Sequence, residues 1–369
     1  MQRTESQVKI SEAGHLPVVS LSNTGVLAQK HKYSSERRSG MSLNGKVNLY
    51  SWGAVEAEIE RDKSKEGYYR HKFTETREQV GQKIGEYYLV ALRAKESIKV
   101  YRESLVRHEK LIQDLKVIVS YDVGRESELN EAQSRRNQVE ATIAQQERIL
   151  YTSLSQLSRY SGQAVDESAL DDPFTKVDPV KFLQQYRNPD INNNPTFLAQ
   201  QKEFESTEAA LRASEARRLP AINLEGSASR HEREVYVGVS WDLYNPASKH
   251  TVEYNRHSQA ADAKLREIEL ELEEKGRTAE EEMLRNKQLL KITGRQINLQ
   301  KKVVEDTELQ FDIAMKSLIN VLDAYQELTS VQIAEVSARN DFRDVALLYL
   351  VSQANVSKWA GIATLDLTK

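Results

Sequence analysis

Apolar and polar residues alternate in three short stretches of this chain, and a fourth is a short apolar run. Met41, Leu43, Gly45, Val47 and Leu49 would share one face, with Ser42, Asn44, Lys46 and Asn48 on the other. Val235, Val237, Val239, Trp241 and Leu243 oppose Glu234, Tyr236, Gly238, Ser240 and Asp242 in the same way. Ile222 and Leu224 alternate with Asn223 and Glu225, and a short apolar segment, Val18 to Ser22, follows Gly14-His15-Leu16-Pro17. Period two predicts strands at about 17–24, 41–51, 219–228 and 234–244, each with one apolar face.

Between these stretches the period changes. Val80, Ile84, Tyr87, Ala91, Ala94, Ile98, Tyr101, Leu105, His108, Ile112, Leu115 and Val119 are spaced alternately by four and three, the seam of a coiled coil. Met283, Leu290, Ile297, Val304 and Phe311 fall at sevens. The seven prolines all lie at or before Pro17 or between Pro173 and Pro246, which leaves 18–172 and 247–369 free to be helical. The predicted long helices run at about 54–119, 127–160, 248–314 and 318–355. At 1.5 Å per residue the first would span about 100 Å, so these helices must pack along one another. His108 falls on the seam and reads as a packed core residue rather than a ligand.

The order helix, strand, strand, long helix, break, second helix occurs twice. Ser11-Glu12-Ala13-Gly14-His15-Leu16-Pro17 aligns with Ser214-Glu215-Ala216-Arg217-Arg218-Leu219-Pro220 without a gap. Val47-Asn48-Leu49-Tyr50 aligns with Trp241-Asp242-Leu243-Tyr244, and Tyr121-Asp122-Val123-Gly124 with Phe311-Asp312-Ile313-Ala314. The chain thus reads as a first repeat (1–160), a proline-rich irregular connector (161–192), a second repeat (193–355) and a terminal segment (356–369). Each break joins two helices antiparallel, with Ser127 and Ser317 as expected N-caps. Asp171 and Asp172 in the connector read as solvated loop.

Composition narrows the function classes. A net charge of -3 gives no basic surface for nucleic acid. There is no cysteine, which removes thiol catalysis and thiolate metal sites. No apolar run is long enough for a membrane-spanning helix, although a membrane β-barrel gives a much weaker signal. No phosphate-binding loop, dinucleotide fingerprint, nucleophile elbow or zinc-protease helix is present, and no metal or cofactor site is expected.

The four apolar strand faces need a cover. A packed core is one cover and lipid another, and the rest of the chain is mostly charged helix. Tyr50, Trp52, Trp241 and Tyr244 lie where strands run into helices, which suits an interfacial aromatic belt. Four strands cannot close a membrane barrel, so strands in lipid would require several protomers to share one.

Taken in order, these motifs resemble the TolC family of bacterial outer-membrane efflux proteins. The carriers are Leu16-Pro17 and Leu219-Pro220, Asn48-Leu49-Tyr50 and Asp242-Leu243-Tyr244, Tyr121-Asp122-Val123-Gly124, and Val321-Leu322-Asp323-Ala324 after Phe311-Asp312-Ile313. Asn48-Leu49-Tyr50-Ser51-Trp52-Gly53-Ala54 is similar to the branch that serves type I secretion of large adhesins. The resemblance implies a mainly α fold with membrane β. Long antiparallel coiled-coil helices form an α-barrel in the periplasm, and four strands per protomer form a trimeric 12-stranded β-barrel in the cell outer membrane. It implies a passive duct for exported protein, working with a periplasmic adaptor protein and an inner-membrane ABC transporter. A drug-efflux duct is the alternative, and a soluble coiled-coil scaffold a third reading.

The resemblance also carries over a periplasmic gate. The family's gate tyrosine falls on Phe311, its gate arginine on Lys316, and its two constricting aspartates on Asn320 and Asp323. On the first hairpin the corresponding residues are Arg125, Ser127 and Glu128. Phe311 lacks a hydroxyl, Lys316 lacks a planar fork and Asn320 lacks a charge, so different contacts are expected to hold this gate. Residues 1–13 match only the end of the helix that precedes Leu219-Pro220. The expectation is a chain lacking the start of that first helix and a signal peptide ahead of it.

Overall fold

Where apolar and polar residues alternate, the computed structural model has strands; it describes residues 2–25, 40–230, 232–241 and 250–362. Strands β1 (Val18–Thr24), β2 (Gly40–Tyr50), β3 (Ala221–Ser229) and β4 (Arg233–Ser240) form one antiparallel sheet in that order. The register sets Val18 opposite Lys46, Lys46 opposite Glu225, and Glu225 opposite Tyr236. The polar positions therefore share one face, apart from Asn23 and Arg233 at the strand ends, which stand opposite Met41 and Ala228. On the other face Val235, Val237 and Val239 are 77%, 61% and 69% exposed, so among the described residues nothing covers these apolar side chains. β4 ends at Ser240, with Trp241 just beyond it, and Tyr244 lies outside the described residues.

The proline-free spans are long helices. α1 (Gln2–Glu12) precedes β1, and α2 (Ala54–Tyr121) is a single helix of 68 residues. It is followed by α3 (Glu126–Ser161), α4 (Pro179–Tyr186), α5 (Pro195–Ala216), the 63-residue α6 (His250–Asp312), the 35-residue α7 (Leu318–Ser352) and α8 (Val356–Trp359). No described helix is long and apolar enough to cross a membrane. Ala354, at φ 52, stops α7, and the Asn355 N–H turns back to the Leu350 carbonyl (2.8 Å).

Contacts divide the chain into two compact units. The first holds residues up to Glu75 and Asp190–Glu271, including the sheet. Here α1 and α5 flank the first turns of α2. Ser11 donates its hydroxyl to Asp62, and Ser206 donates to the Arg61 carbonyl (3.1 Å). Ala57, Ala209 and Ala213 are buried, and their small side chains let the helices approach closely.

The second unit holds Thr76–Pro189 and Leu272–Asp366. Ala91, Ala94 and Ile98 of α2 pack on Ile143, Leu150 and Leu157 of α3. Nearer the hairpin turns, Ile112, Leu115, Ala132, Val304, Val321 and Tyr325 join α2, α3, α6 and α7 in one core. His108 is buried here. Its Nδ1–H donates to the Ser104 carbonyl (2.8 Å), and its ring lies edge-on to Tyr325. Burial holds its pKa below the ordinary imidazole value, so it is a neutral packed residue.

Three expectations are corrected here. Val80 is exposed although it lies on the heptad; at that level α2 meets the terminal segment through its neighbours. Gly81 lies against Val356, and Glu78 accepts the N–H groups of Val356 (2.9 Å) and Ser357 (3.3 Å). The connector is not wholly irregular, because Pro179 is an N-terminal residue of α4, where a missing N–H costs nothing, and Asp178 caps it. Asp172 is not solvated. It accepts from Arg343 (2.8 Å), whose side chain has no exposure and also forks onto Glu96 at 2.7 and 2.9 Å.

Candidate functional site

The first hairpin turns through Val123–Arg125, a single 3-10 turn. Asp122 starts it by accepting the Gly124 N–H (3.0 Å). Arg125, not Ser127, is the N-cap of α3, and it offers no capping side chain. Ser127 therefore lies inside the first helical turn, exposed, which corrects its expected capping role. Arg125 instead donates through Nε (3.1 Å) and Nη2 (2.6 Å) to one carboxylate oxygen of Glu128.

The second hairpin closes differently. Ala314, at φ 55, takes the left-handed position that ends α6, and the Met315 N–H reaches back to the Gln310 carbonyl (2.8 Å). Ser317 caps α7 reciprocally with Asn320. The Asn320 Oδ1 accepts both the Ser317 N–H (3.1 Å) and the Ser317 hydroxyl (2.8 Å). Asn320 is thus used within its own turn.

One contact joins the two turns. The Arg125 guanidinium lies 5.7 Å from the centre of the Phe311 ring. A cation over an aromatic face needs no hydroxyl, so phenylalanine serves where a tyrosine would hydrogen-bond. Apart from Asn320, the expected gate residues therefore sort into two sets. Arg125, Glu128 and Phe311 come together, and Phe311, like Leu129 and Ile118, packs against the core around Leu115 and Val321. Lys316, Ser127 and Asp323 are exposed, and among the described residues no side-chain hydrogen bond or ion pair holds them.

The apolar residues of these turns were read from the sequence only as breaks. Tyr121, Val123, Ile313, Met315 and Ile319 are 88%, 72%, 66%, 74% and 60% exposed. The available signal was compositional: turns ordinarily carry Gly, Asn, Asp and Ser, and these carry large apolar side chains.

At the sheet boundary the two tryptophans converge on one turn. Trp52 donates its indole N–H to the Pro220 carbonyl (2.8 Å), and Trp241 to the Arg218 carbonyl (3.1 Å). Trp52 takes φ 57, a costly conformation for a large residue, with Gly53 at φ 80 beside it. The tilted contact between the Tyr50 and Trp52 rings (5.2 Å) and the indole bond hold it there. Among the described residues no group of three or more His, Asp or Glu could hold a metal ion.

No protein-family model and no curated protein matches the chain. Solved structures do. The outer-membrane channel OprN superposes with a TM-score of 0.80 at 16% identity, over 96% of this chain and 84% of that one. The outer-membrane protein VceC from Vibrio cholerae gives 0.80 at 12% identity, over 96% and 90%. The Campylobacter jejuni CmeC outer-membrane channel gives 0.76 at 13% identity, over 99% and 85%. Such low identity speaks to architecture alone: the chain has the TolC-like fold of these outer-membrane channels, with long helices and four strands in each protomer.

Proposed function

We propose that this chain is one protomer of an outer-membrane duct and carries no catalytic activity of its own. The observation that carries this reading is the sheet: among the described residues its apolar face is bare and strands β1 and β4 each have an edge with no partner strand. Unpaired backbone groups are not tolerated in lipid. Pairing β4 of one copy with β1 of the next satisfies both edges, and three copies give twelve strands, above the minimum of about eight for a membrane barrel. The helices would then extend into the periplasm. The exposed apolar hairpin turns suit a docking surface for a periplasmic adaptor, which would link the duct to an inner-membrane ABC transporter. The cargo proposed is exported protein of the large-adhesin class.

In this reading the hairpin turns form the entrance. Arg125 over Phe311, steadied by Glu128, holds the first hairpin to the second. Lys316, Asn320 and Asp323 line the same end, and Asp323 supplies a carboxylate from each protomer. Arg125→Ala is expected to raise single-channel conductance in planar bilayers at least about twofold, and Phe311→Tyr to leave it near the wild-type value. An unchanged conductance in Arg125→Ala would remove this contact from the gate.

The whole reading is tested in cells. Fractionation should recover the chain from the outer membrane as a trimer. Deletion should abolish surface display of the exported protein without changing drug sensitivity. Loss of drug resistance with intact surface display would reassign the cargo to small molecules. Extraction into buffer without detergent would leave only a coiled-coil scaffold.

A further inference from the structure

The polar face of the sheet is not a random polar surface. Its side chains bond to one another across the strands in rows. Asn48 donates to Asn223 (3.2 Å), and Asn223 donates onward to Ser240 (3.2 Å). The next row is charged: Lys46 lies 3.1 Å from Glu225, which also accepts the Tyr236 hydroxyl (2.9 Å). Farther along, Asn44 donates to Ser22 (2.8 Å), which shares a hydrogen bond with Ser42 (2.8 Å). Beside that row Ser227 stands opposite Glu234, with which no lysine or arginine pairs among the described residues.

We propose that this face is a charge-compensated lining whose local potential is set row by row. It is neutral at Lys46–Glu225–Tyr236 and negative one row on, at Glu234. The inference rests on the duct reading above, in which the polar face looks into the lumen. A wall whose donors and acceptors already satisfy one another offers passing cargo few free partners, and an internal ion pair offers no fixed counter-charge. Only Val18 interrupts the charged row with an apolar side chain, at its β1 end. At the compensated row such a lining passes segments of either charge and holds neither, as a polypeptide of mixed composition requires.

The chain has no native cysteine, so single introduced thiols report cleanly. Val18→Cys places a thiol beside Lys46, and Ser227→Cys places one beside Glu234. Reaction rates with a cationic and an anionic methanethiosulfonate reagent are measured on the full chain in proteoliposomes. Their ratio is normalised to that of a free small thiol.

The expected ratio at Val18→Cys is within about twofold of unity, and at Ser227→Cys it favours the cation. A unit charge at about 5 Å changes each rate about fourfold in a medium of high dielectric constant. Glu225 stands two strands, about 10 Å, from Val18, so adding Glu225→Gln should shift the Val18→Cys ratio about fourfold toward the anion, and Lys46→Gln, one strand away, should shift it at least as far toward the cation. The double variant, neutral again, should return it to unity. The shifts should shrink at high ionic strength. A Val18→Cys ratio far from unity, or one that neither single substitution moves, would overturn the compensated lining. If Val18→Cys resists both reagents while Val237→Cys on the apolar face reacts freely, the duct reading itself fails.

Discussion

Arg343 has no exposed side-chain surface, yet it sits between two carboxylates of different elements, Glu96 on α2 and Asp172 in the connector. Without the guanidinium, Asp172 would be left half-buried and unpaired. Breaking a buried pair from one side costs about 3–5 kcal/mol. Arg343→Gln should lower the denaturant midpoint accordingly when helicity is followed by circular dichroism. Burial pushes the Asp172 carboxyl up, but the Arg343 bond and the Phe174 N–H outweigh it, and the net pKa is depressed. Its contribution is thus complete above the unfolded carboxylate value of about 3.9 and is lost as pH falls below that toward the depressed native value. The wild-type protein should lose stability over that acid window, and Arg343→Gln should lose much less. Nothing in the sequence marked this site, because an aspartate among prolines looks solvated until the helix that supplies its partner is placed. Ala314 carries the opposite lesson. It holds a left-handed position that glycine takes without penalty, so Ala314→Gly is expected to raise stability by about 0.5–1 kcal/mol, read from the same melts.

At the scale of elements, period and proline placement carried most of the information. Alternation located the strands, and freedom from proline located α2, α3, α6 and α7. The heptad was a weaker guide, because it presumes one packing neighbour. α2 buries Leu89, off the seam, against a second set of partners that includes Phe342, Ala346 and Leu350, and it releases Val80 where the terminal segment takes over. α6 buries Thr293 and Thr307 at positions where a search for apolar sevens finds gaps; their hydroxyls donate to the helix's own carbonyls at Leu289 (3.1 Å) and Val303 (2.6 Å). The bare apolar face of the sheet gives a direct test of its surroundings. Val237→Arg should cost about 2–4 kcal/mol in lipid if that residue lies near the membrane midplane. The loss would appear as a lower melting temperature of the assembled trimer in gel-shift assays, with Ser227→Arg on the other face nearly neutral. Equal tolerance of both would argue against lipid on the apolar side.

For the whole molecule, the doubled order of elements made the fold legible although identity to solved channels is only 12–16% in the three superpositions above. Packing and alternation conserve pattern rather than residue, and pattern survives where alignment fails. The candidate entrance was legible only as an address. Sequence correspondence pointed to the two turns, but the contact between them depends on which side chains face one another, and that emerges only once both hairpins are folded. Arg125 over Phe311 joins a cation of the first hairpin to the aromatic of the second, whereas the resemblance puts the gate arginine at Lys316, on the second hairpin itself. The three tryptophans add a consequence of their placement. Trp52 and Trp241 both bond to the Arg218–Pro220 turn, while Trp359 stacks on Phe174 at 5.0 Å in the other unit. Intrinsic fluorescence is therefore divided between the sheet boundary and the connector. Embedding in bilayers should blue-shift and brighten the first pair alone, and acid should act first on the third, so one unlabelled chain reports insertion and connector loosening as separate spectral components.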